Sequence, residues 1–420
     1  MSTVAEVLSI IEHETIPVVG SRSYGERSIT VKHAGLLAKL TTLPSNAFTW
    51  GHQSIKWSQY CGLVQLGDIT LEILPKIHGK ESEPGACRES LVRMLKQAGL
   101  LKIHKPGGAD INLQKHTLLD IFIYDFCEQL NQQLVQGVIR RYIVREENIG
   151  VLKGKLLAQQ QLRHNLAHKE RLYCQYDELS EDILLNQAIK YTLRLLLPRA
   201  QSPRLKNELT QLIYTFDGVA DTLVEVSDLE RISLSRNEKR FEPILRLCII
   251  FMQALNPGTW AGGNRMFSLL FDMNQLFERW VAAMLKPVAR ENGWRLRQQG
   301  PKRFMAYRED IDKDVFQMKP DICFIDDDGI PQLIVDAKWK LLDLSEAKLG
   351  VSQADLYQMQ AYANRYNCQS LCLMYPRQAS CLGEYRLNLQ GEMLSELTVK
   401  SVQVAHVRGH PMICSNSDLI

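Results

Sequence analysis

No apolar run in these 420 residues approaches the roughly 20 consecutive apolar positions that a membrane-spanning helix needs. The stretch Leu247-Cys248-Ile249-Ile250-Phe251-Met252 is far too short and reads as a buried helix. The first residues, Met1-Ser2-Thr3-Val4-Ala5-Glu6, lack a basic region ahead of an apolar stretch, so no signal peptide is expected. An excess of one charge is also missing. Lys and Arg number 50 against 47 Asp and Glu, a net charge of +3. A polycationic DNA coat is thereby excluded, and any contact with DNA must come from local patches or from a partner. The ten cysteines include no Cys-x-x-Cys pair, and Cys368 and Cys372 have no histidine company. A zinc site and a disulfide framework are both unexpected, and reduced thiols in a cytoplasmic protein are the natural alternative. No Gly-x-x-x-x-Gly-Lys-[Ser/Thr] loop occurs, so the chain should not bind GTP or ATP through a P-loop of its own. Internal repeats and low-complexity segments are absent as well.

The chain is long enough for two or three domains with sizeable cores. Its patterning predicts an α+β multidomain protein in three regions. Residues 1–88 are β-rich, with strands near Ser28-Ile29-Thr30-Val31 and Ile69-Thr70-Leu71-Glu72-Ile73-Leu74, the latter stopping at Pro75. Residues 89–256 turn mainly helical, with stripes at Leu91, Met94, Leu95 and at Ile189, Leu193, Leu196, and breaks at Pro198 and Pro203. Pro257-Gly258-Thr259 and Gly262-Gly263 then form a linker to residues 257–420, an α/β unit with a mixed sheet. Alternation in Leu397-Thr398-Val399-Lys400-Ser401-Val402-Gln403-Val404 predicts closing strands.

The chemistry concentrates at one hairpin. Asp321-Ile322-Cys323-Phe324-Ile325 reads as a strand, Asp327-Asp328-Gly329 as its turn, and Gln332-Leu333-Ile334-Val335-Asp336-Ala337-Lys338 as the return strand. Asp321 lies seven residues before Asp328 and Asp336 eight after it, so antiparallel pairing sets them side by side. Asp336 and Lys338 share a strand face. Carboxylates crowded there are costly in a core but suit a divalent cation. Mg²⁺ held by Asp321 and Asp336 would acidify a water and neutralise a scissile phosphate, with Lys338 orienting the attack or stabilising developing charge. Taken alone, the short pattern also occurs on exposed charged hairpins. Its surroundings must decide.

Those surroundings form an ordered series. Ser352-Gln353-Ala354-Asp355 predicts the N-cap of a helix reaching about Tyr366, with Leu356, Met359, Ala363 and Tyr366 on its sheet-facing stripe. Gln358 and Tyr362, four apart, share another face, either as half-buried polar residues or as contacts to the metal ligands or the DNA backbone. A strand, Ser370-Leu371-Cys372-Leu373-Met374-Tyr375, follows. Upstream, residues 271–281 read as a helix in which Glu278 is either a solvated acid or a third carboxylate for the metal. Lys302, Arg303 and Arg308 are candidate phosphate contacts, and Lys340 belongs with them on the strand face of Lys338. Arg140-Arg141-Tyr142-Ile143-Val144-Arg145 mixes cations with an aromatic, as a phosphate-tracking surface or a solvated face would.

Glu278, Pro320-Asp321, Asp336-Ala337-Lys338 and Gln358-x-x-x-Tyr362, in that order, resemble the PD-(D/E)XK nuclease core, including the Gln-x-x-x-Tyr element of its RecB-like branch. More narrowly, the chain resembles the McrC family, the nuclease subunits of McrBC-type modification-dependent restriction systems. Phe271-Asp272-Met273-Asn274, Val335-Asp336-Ala337-Lys338-Trp339-Lys340, Asp355-Leu356-Tyr357-Gln358-Met359-Gln360-Ala361-Tyr362, Ile73-Leu74-Pro75-Lys76-Ile77 and Tyr176-Asp177-Glu178-Leu179-Ser180-Glu181-Asp182 carry the resemblance. It implies an Mg²⁺-dependent DNA endonuclease with Asp321, Asp336, Glu278 and Lys338 at its centre. It implies a McrB-like AAA+ GTPase hexamer as partner, which recognises methylcytosine in double-stranded DNA and is activated by this subunit. Residues 41–46 are the candidate insertion into the partner's ring, and cutting both strands implies that two copies cooperate. Two other function classes stay open: a regulatory subunit whose main task is stimulating the AAA+ NTPase, and a stand-alone RecB-like nuclease.

Overall fold

Short apolar runs punctuated by Gly, Asp and Pro make the first residues strands rather than helices. The computed structural model describes residues 6–40, 43–101, 116–168, 170–255, 266–342, 346–377, 384–389, 395–402 and 404. The chain forms two compact units, one from Met1–Leu118 together with Thr259–Ile420, the other from Leu119–Gly258.

The first unit opens with β1 (Glu6–Ile11), β2 (Thr15–Val19), β3 (Ile29–Thr30), α1 (Val31–Leu37), β4 (Phe48–Gly51), β5 (Ser54–Trp57), β6 (Tyr60–Leu66), β7 (Ile69–Leu74) and α2 (Pro84–Gln97). The strand expected over residues 28–31 shrinks to β3, because Thr30 caps α1. Its hydroxyl accepts from the His33 amide while the His33 ring accepts from the Thr30 amide. Strands β6 and β7 are buried along their whole length. Leu8, Ile10, Ile16, Ile55, Trp57, Val64, Leu71 and Ile73 fuse the N-terminal strands into one core.

The second unit contains α3 (Leu118–Leu134), β8 (Arg141–Ile149), β9 (Lys155–Leu156), α4 (Ala158–His164), β10 (Leu172–Ser180), α5 (Leu184–Leu196), α6 (Pro203–Thr215), α7 (Val226–Glu230) and α8 (Glu242–Leu255). Proline opens α6 at a position where its missing N–H is harmless. Between the helices stands a long antiparallel ribbon, β8 against β10, paired from Ile149↔Leu172 to Arg141↔Ser180. Helical periodicity gave no sign of it. The tract from Arg140 to Arg145 lies on this ribbon, with Tyr142 and Val144 exposed, Arg141 paired with Glu238 and Arg145 with Glu178.

The chain then returns to the first unit through β11 (Met266–Asp272) and α9 (Met273–Glu291), followed by β12 (Arg295–Gln298), β13 (Arg303–Arg308), β14 (Lys313–Met318), β15 (Ile322–Ile325), β16 (Pro331–Ala337), α10 (Gln353–Tyr366), β17 (Ser370–Pro376), β18 (Glu384–Leu389) and β19 (Ser395–Val402). Residues 271 and 272, expected to be helical, end β11 instead. The Asp272 carboxylate accepts from the Asn274 amide and so starts α9 one residue later. Strand β11 completes a sheet of order β1-β7-β6-β11. A mixed six-stranded sheet runs β12-β15-β16-β17-β19-β18, with β16, β17 and β19 mutually parallel and the outer pairings antiparallel. Helix α10 covers it with Met359, Ala363 and Tyr366 fully buried and Leu356 packed at the rim, the stripe expected from spacing. Ser352 caps this helix by accepting from the Asp355 amide.

Candidate active site

The β15–β16 hairpin forms as its turn chemistry requires. Gly329 takes φ +82°, and the Asp326 carboxylate accepts from the Ile330 amide at 2.8 Å. The opposite end gathers the charged residues. Ile322 faces Val335 in register, and the Ala337 amide donates to Asp321 Oδ2 at 2.9 Å. Asp321 and Asp336 are therefore neighbours across the hairpin mouth. Asp336 is 1 % exposed, and its Oδ1 accepts no hydrogen bond. Its Oδ2 lies 2.7 Å from Lys338 Nζ.

Helix α10 closes the site from above. Lys338 Nζ donates to Gln358 Oε1 at 3.1 Å, Gln358 Nε2 donates to the Tyr362 hydroxyl at 2.9 Å, and that hydroxyl donates to the Lys319 carbonyl at 3.1 Å. The Gln-x-x-x-Tyr pair thus reaches the lysine at one end and the backbone leading into Asp321 at the other. Lys340 ion-pairs with Asp355, and Asp355 Oδ1 is also 3.8 Å from Lys338 Nζ. Asp355 was not singled out from the sequence. Its signal was its place three residues before Gln358, which sets both on one helical face. Arg303 donates to the Arg365 carbonyl and lies 5.0 Å from the Tyr366 ring centroid, while Lys302 is exposed and Arg308 pairs with Asp310.

The electrostatics follow from crowding carboxylates in a poorly solvated place. Burial, then the charges of Asp336 and Glu278, push Asp321 up to about 8. Burial likewise raises Asp336 in spite of Lys338. Glu278, half-buried on α9, is raised by burial and by Asp336. Burial alone would lower Lys338, but Asp336, Asp355 and Asp321 outweigh it and hold the ammonium charged. Burial pushes Tyr362 well up, so its hydroxyl stays a donor.

Among the described residues, no group of three or more His, Cys, Asp or Glu side chains is assembled into a ready metal cage. Mg²⁺ does not require one, since it keeps several waters and takes one or two carboxylates. The fit rests on two acids sharing a hairpin mouth, Asp321 half-buried and Asp336 buried with an oxygen lacking any donor.

What these elements define is a multidomain α/β chain whose mixed sheet carries an acid-and-lysine site tied to its covering helix. The chain belongs to the family of McrBC 5-methylcytosine restriction system components, which it matches over residues 55–376. No curated protein matches it. Among solved structures, a chain of the "Refined half-complex from tetradecameric assembly of Thermococcus gammatolerans McrB AAA+ hexamers with bound McrC" superposes with a TM-score of 0.73 at 18% identity, over 98% of each chain. A chain of the Thermococcus gammatolerans McrBC complex gives 0.51 at 23% identity, covering 67% of this chain and 88% of that one. At such identities the likeness is one of fold. Among the described residues no helix is long and apolar enough to cross a membrane.

Proposed function

We propose that this chain is the Mg²⁺-dependent endonuclease subunit of a McrBC-type restriction complex. The observation that carries this is the buried Asp336 carboxylate with an unpartnered oxygen, set beside Asp321 and ion-paired to Lys338. Asp321 and Asp336 would hold the ion, with Glu278 as a third carboxylate in reach of the same field. Bound there, Mg²⁺ supplies positive charge against the scissile phosphate and acidity to the attacking water.

The remaining work falls to the protein's own groups. Lys338 keeps its proton, so it presents a fixed cation to the phosphate or to the nucleophile. Gln358 orients that ammonium, and Tyr362 fixes Gln358 by gripping the Lys319 carbonyl. Lys340, Lys302 and Arg303 are the proposed supports for the DNA backbone, and such contacts position DNA without reading its sequence. Target choice then lies elsewhere. By likeness to the McrC-bound McrB assembly, the partner is an AAA+ hexamer; as the partner's share of the work we propose GTP binding and recognition of modified double-stranded DNA. Of the proposed insertion at residues 41–46, Thr41 and Thr42 lie outside the described residues.

The deciding experiment is cleavage of methylated and unmethylated plasmid by this chain with its AAA+ partner, GTP and Mg²⁺, in parallel with GTP hydrolysis. Asp336→Ala should lower cutting of methylated DNA by at least about 10²-fold while hydrolysis stays stimulated. Unchanged cutting by the variant would remove the hairpin from the chemistry and leave an NTPase-stimulating subunit as the function.

A further inference from the structure

One buried acid outside this constellation is aimed at it. Glu12, just past the end of β1, is 2 % exposed. Its Oε1 accepts from the Trp339 indole N–H and from the Lys76 amide, both at 2.8 Å, and its own amide donates to the Leu74 carbonyl at 2.9 Å. Its Oε2 accepts no hydrogen bond, and His13 Nε2 stands 3.9 Å away. A carboxylate so deep, so far from Trp339 in sequence and so specifically directed does more than fill space.

Trp339 directly follows Lys338, whose amide donates to the Met374 carbonyl at 2.8 Å. Its ring packs on Phe277 with centroids 5.3 Å apart. Phe277 is fully buried and directly precedes Glu278. The start of α9 is in turn held by the N-terminal segment, the Met273 amide donating to the Gln59 carbonyl at 2.9 Å. One indole therefore touches both the turn that presents Glu278 and the backbone that presents Lys338, and Glu12 is the polar anchor of that indole.

We infer that Glu12 is a positioning residue for the nuclease site, fixing Trp339 and through it the relative placement of Lys338 and Glu278. The inference rests on the nuclease reading of the hairpin. Polar groups that orient a reactive constellation from outside change turnover more than substrate binding, because they set geometry that matters only at the moment of reaction. Burial pushes Glu12 up to about 7, so a neutral side chain of the same shape is close to what the site already tolerates.

The test uses the full chain with its AAA+ partner on methylated plasmid under Mg²⁺ and GTP, well below the melting temperature of every variant. Trp339→Phe keeps an aromatic ring beside Phe277 and removes the pyrrole half of the indole with its N–H; Glu12→Ala removes the anchor; Glu12→Gln keeps an acceptor for both donors. Trp339→Phe and Glu12→Ala should lower kcat by about 10–100-fold with KM for DNA unchanged, and Glu12→Gln should restore kcat to within about threefold. If Glu12→Ala does not fold, Trp339→Phe decides alone. Unchanged kcat in Trp339→Phe, or a Glu12→Gln as slow as Glu12→Ala, overturns the inference. Asp336→Ala, run alongside, separates the two levels. Cutting that survives Asp336→Ala removes the nuclease reading itself, whereas an inactive Asp336→Ala beside a fully active Trp339→Phe removes only the role of Glu12.

Discussion

At the scale of single residues, the site holds charge that the fold alone would shed. Asp321 is raised to about 8 by burial and by its acidic neighbours, against an ordinary value near 3.8. A carboxyl raised in the folded state binds more protons there than in the unfolded chain. Its share of stability is therefore complete below about 4 and is lost as pH climbs through 8. A divalent cation favours the ionised form, so Mg²⁺ should offset that loss without competing protons at pH 9 but only weakly at pH 6. Thermal melts with and without Mg²⁺ should show the larger rise in Tm at pH 9, at ~2–4 °C per kcal/mol. Asp321→Asn, which keeps an acceptor for the Ala337 amide, should flatten the metal-free pH dependence and abolish the Mg²⁺ effect. An equal Mg²⁺ shift at both pH values, or one that survives in Asp321→Asn, would count against metal binding here. These residues were legible in the sequence because a hairpin with a marked turn converts spacing directly into proximity. Glu12 was not, since a distant strand end places it and leaves no local pattern, and Asp355 showed itself only through its helical spacing from Gln358.

At the scale of elements, the strand that leads into α9 depends on a single glycine. Gly62 in β6 has φ +142°, and a Cβ there would stand 2.0 Å from the Leu269 carbonyl oxygen of β11. Backbone cannot retreat from such a clash the way a flexible side chain can. Gly62→Ala should push β11 off β6, shift the start of α9, and destabilise the first unit by about 3 kcal/mol or more. Chemical denaturation would measure the loss, and a variant within about 0.5 kcal/mol of the parent would show that the sheet tolerates the added methyl group. Element types along the nuclease-like region read well from sequence, as β15, β16, α10 and β19 illustrate, because each carries a complete local period with its cap or turn. The β8–β10 ribbon hid because neither strand alternates apolar with polar residues throughout, and along both only Cys174 is buried, so no period-2 pattern marks them.

At the scale of the whole molecule, the first unit is assembled from two distant stretches of chain. Strand β11 pairs with β6 from Met266↔Leu66 to Asp272↔Tyr60, the Trp280 indole donates to Gln97, and the Trp339 indole donates to Glu12. Nothing in local spacing announces such pairings, because side-chain periodicity records which face is buried and not which strand buries it. They also have a consequence for dissection. Residues 259–420 contain every candidate acid, the lysine and the Gln-x-x-x-Tyr pair, so on sequence grounds they form a complete catalytic fragment. Expressed alone, however, they would leave β11 without β6 and expose Trp280 and Trp339, whose buried N–H groups would lose their acceptors. This fragment should melt without a sharp transition and associate through its free strand edge. Supplying residues 1–118 as a separate chain should restore cooperative unfolding by completing the sheet. Calorimetry on the fragment, with and without that second chain, decides the matter. A sharp transition from the fragment by itself would mean that the β6–β11 pairing contributes little and that the N-terminal strands serve residues 259–420 in some way other than by completing their fold.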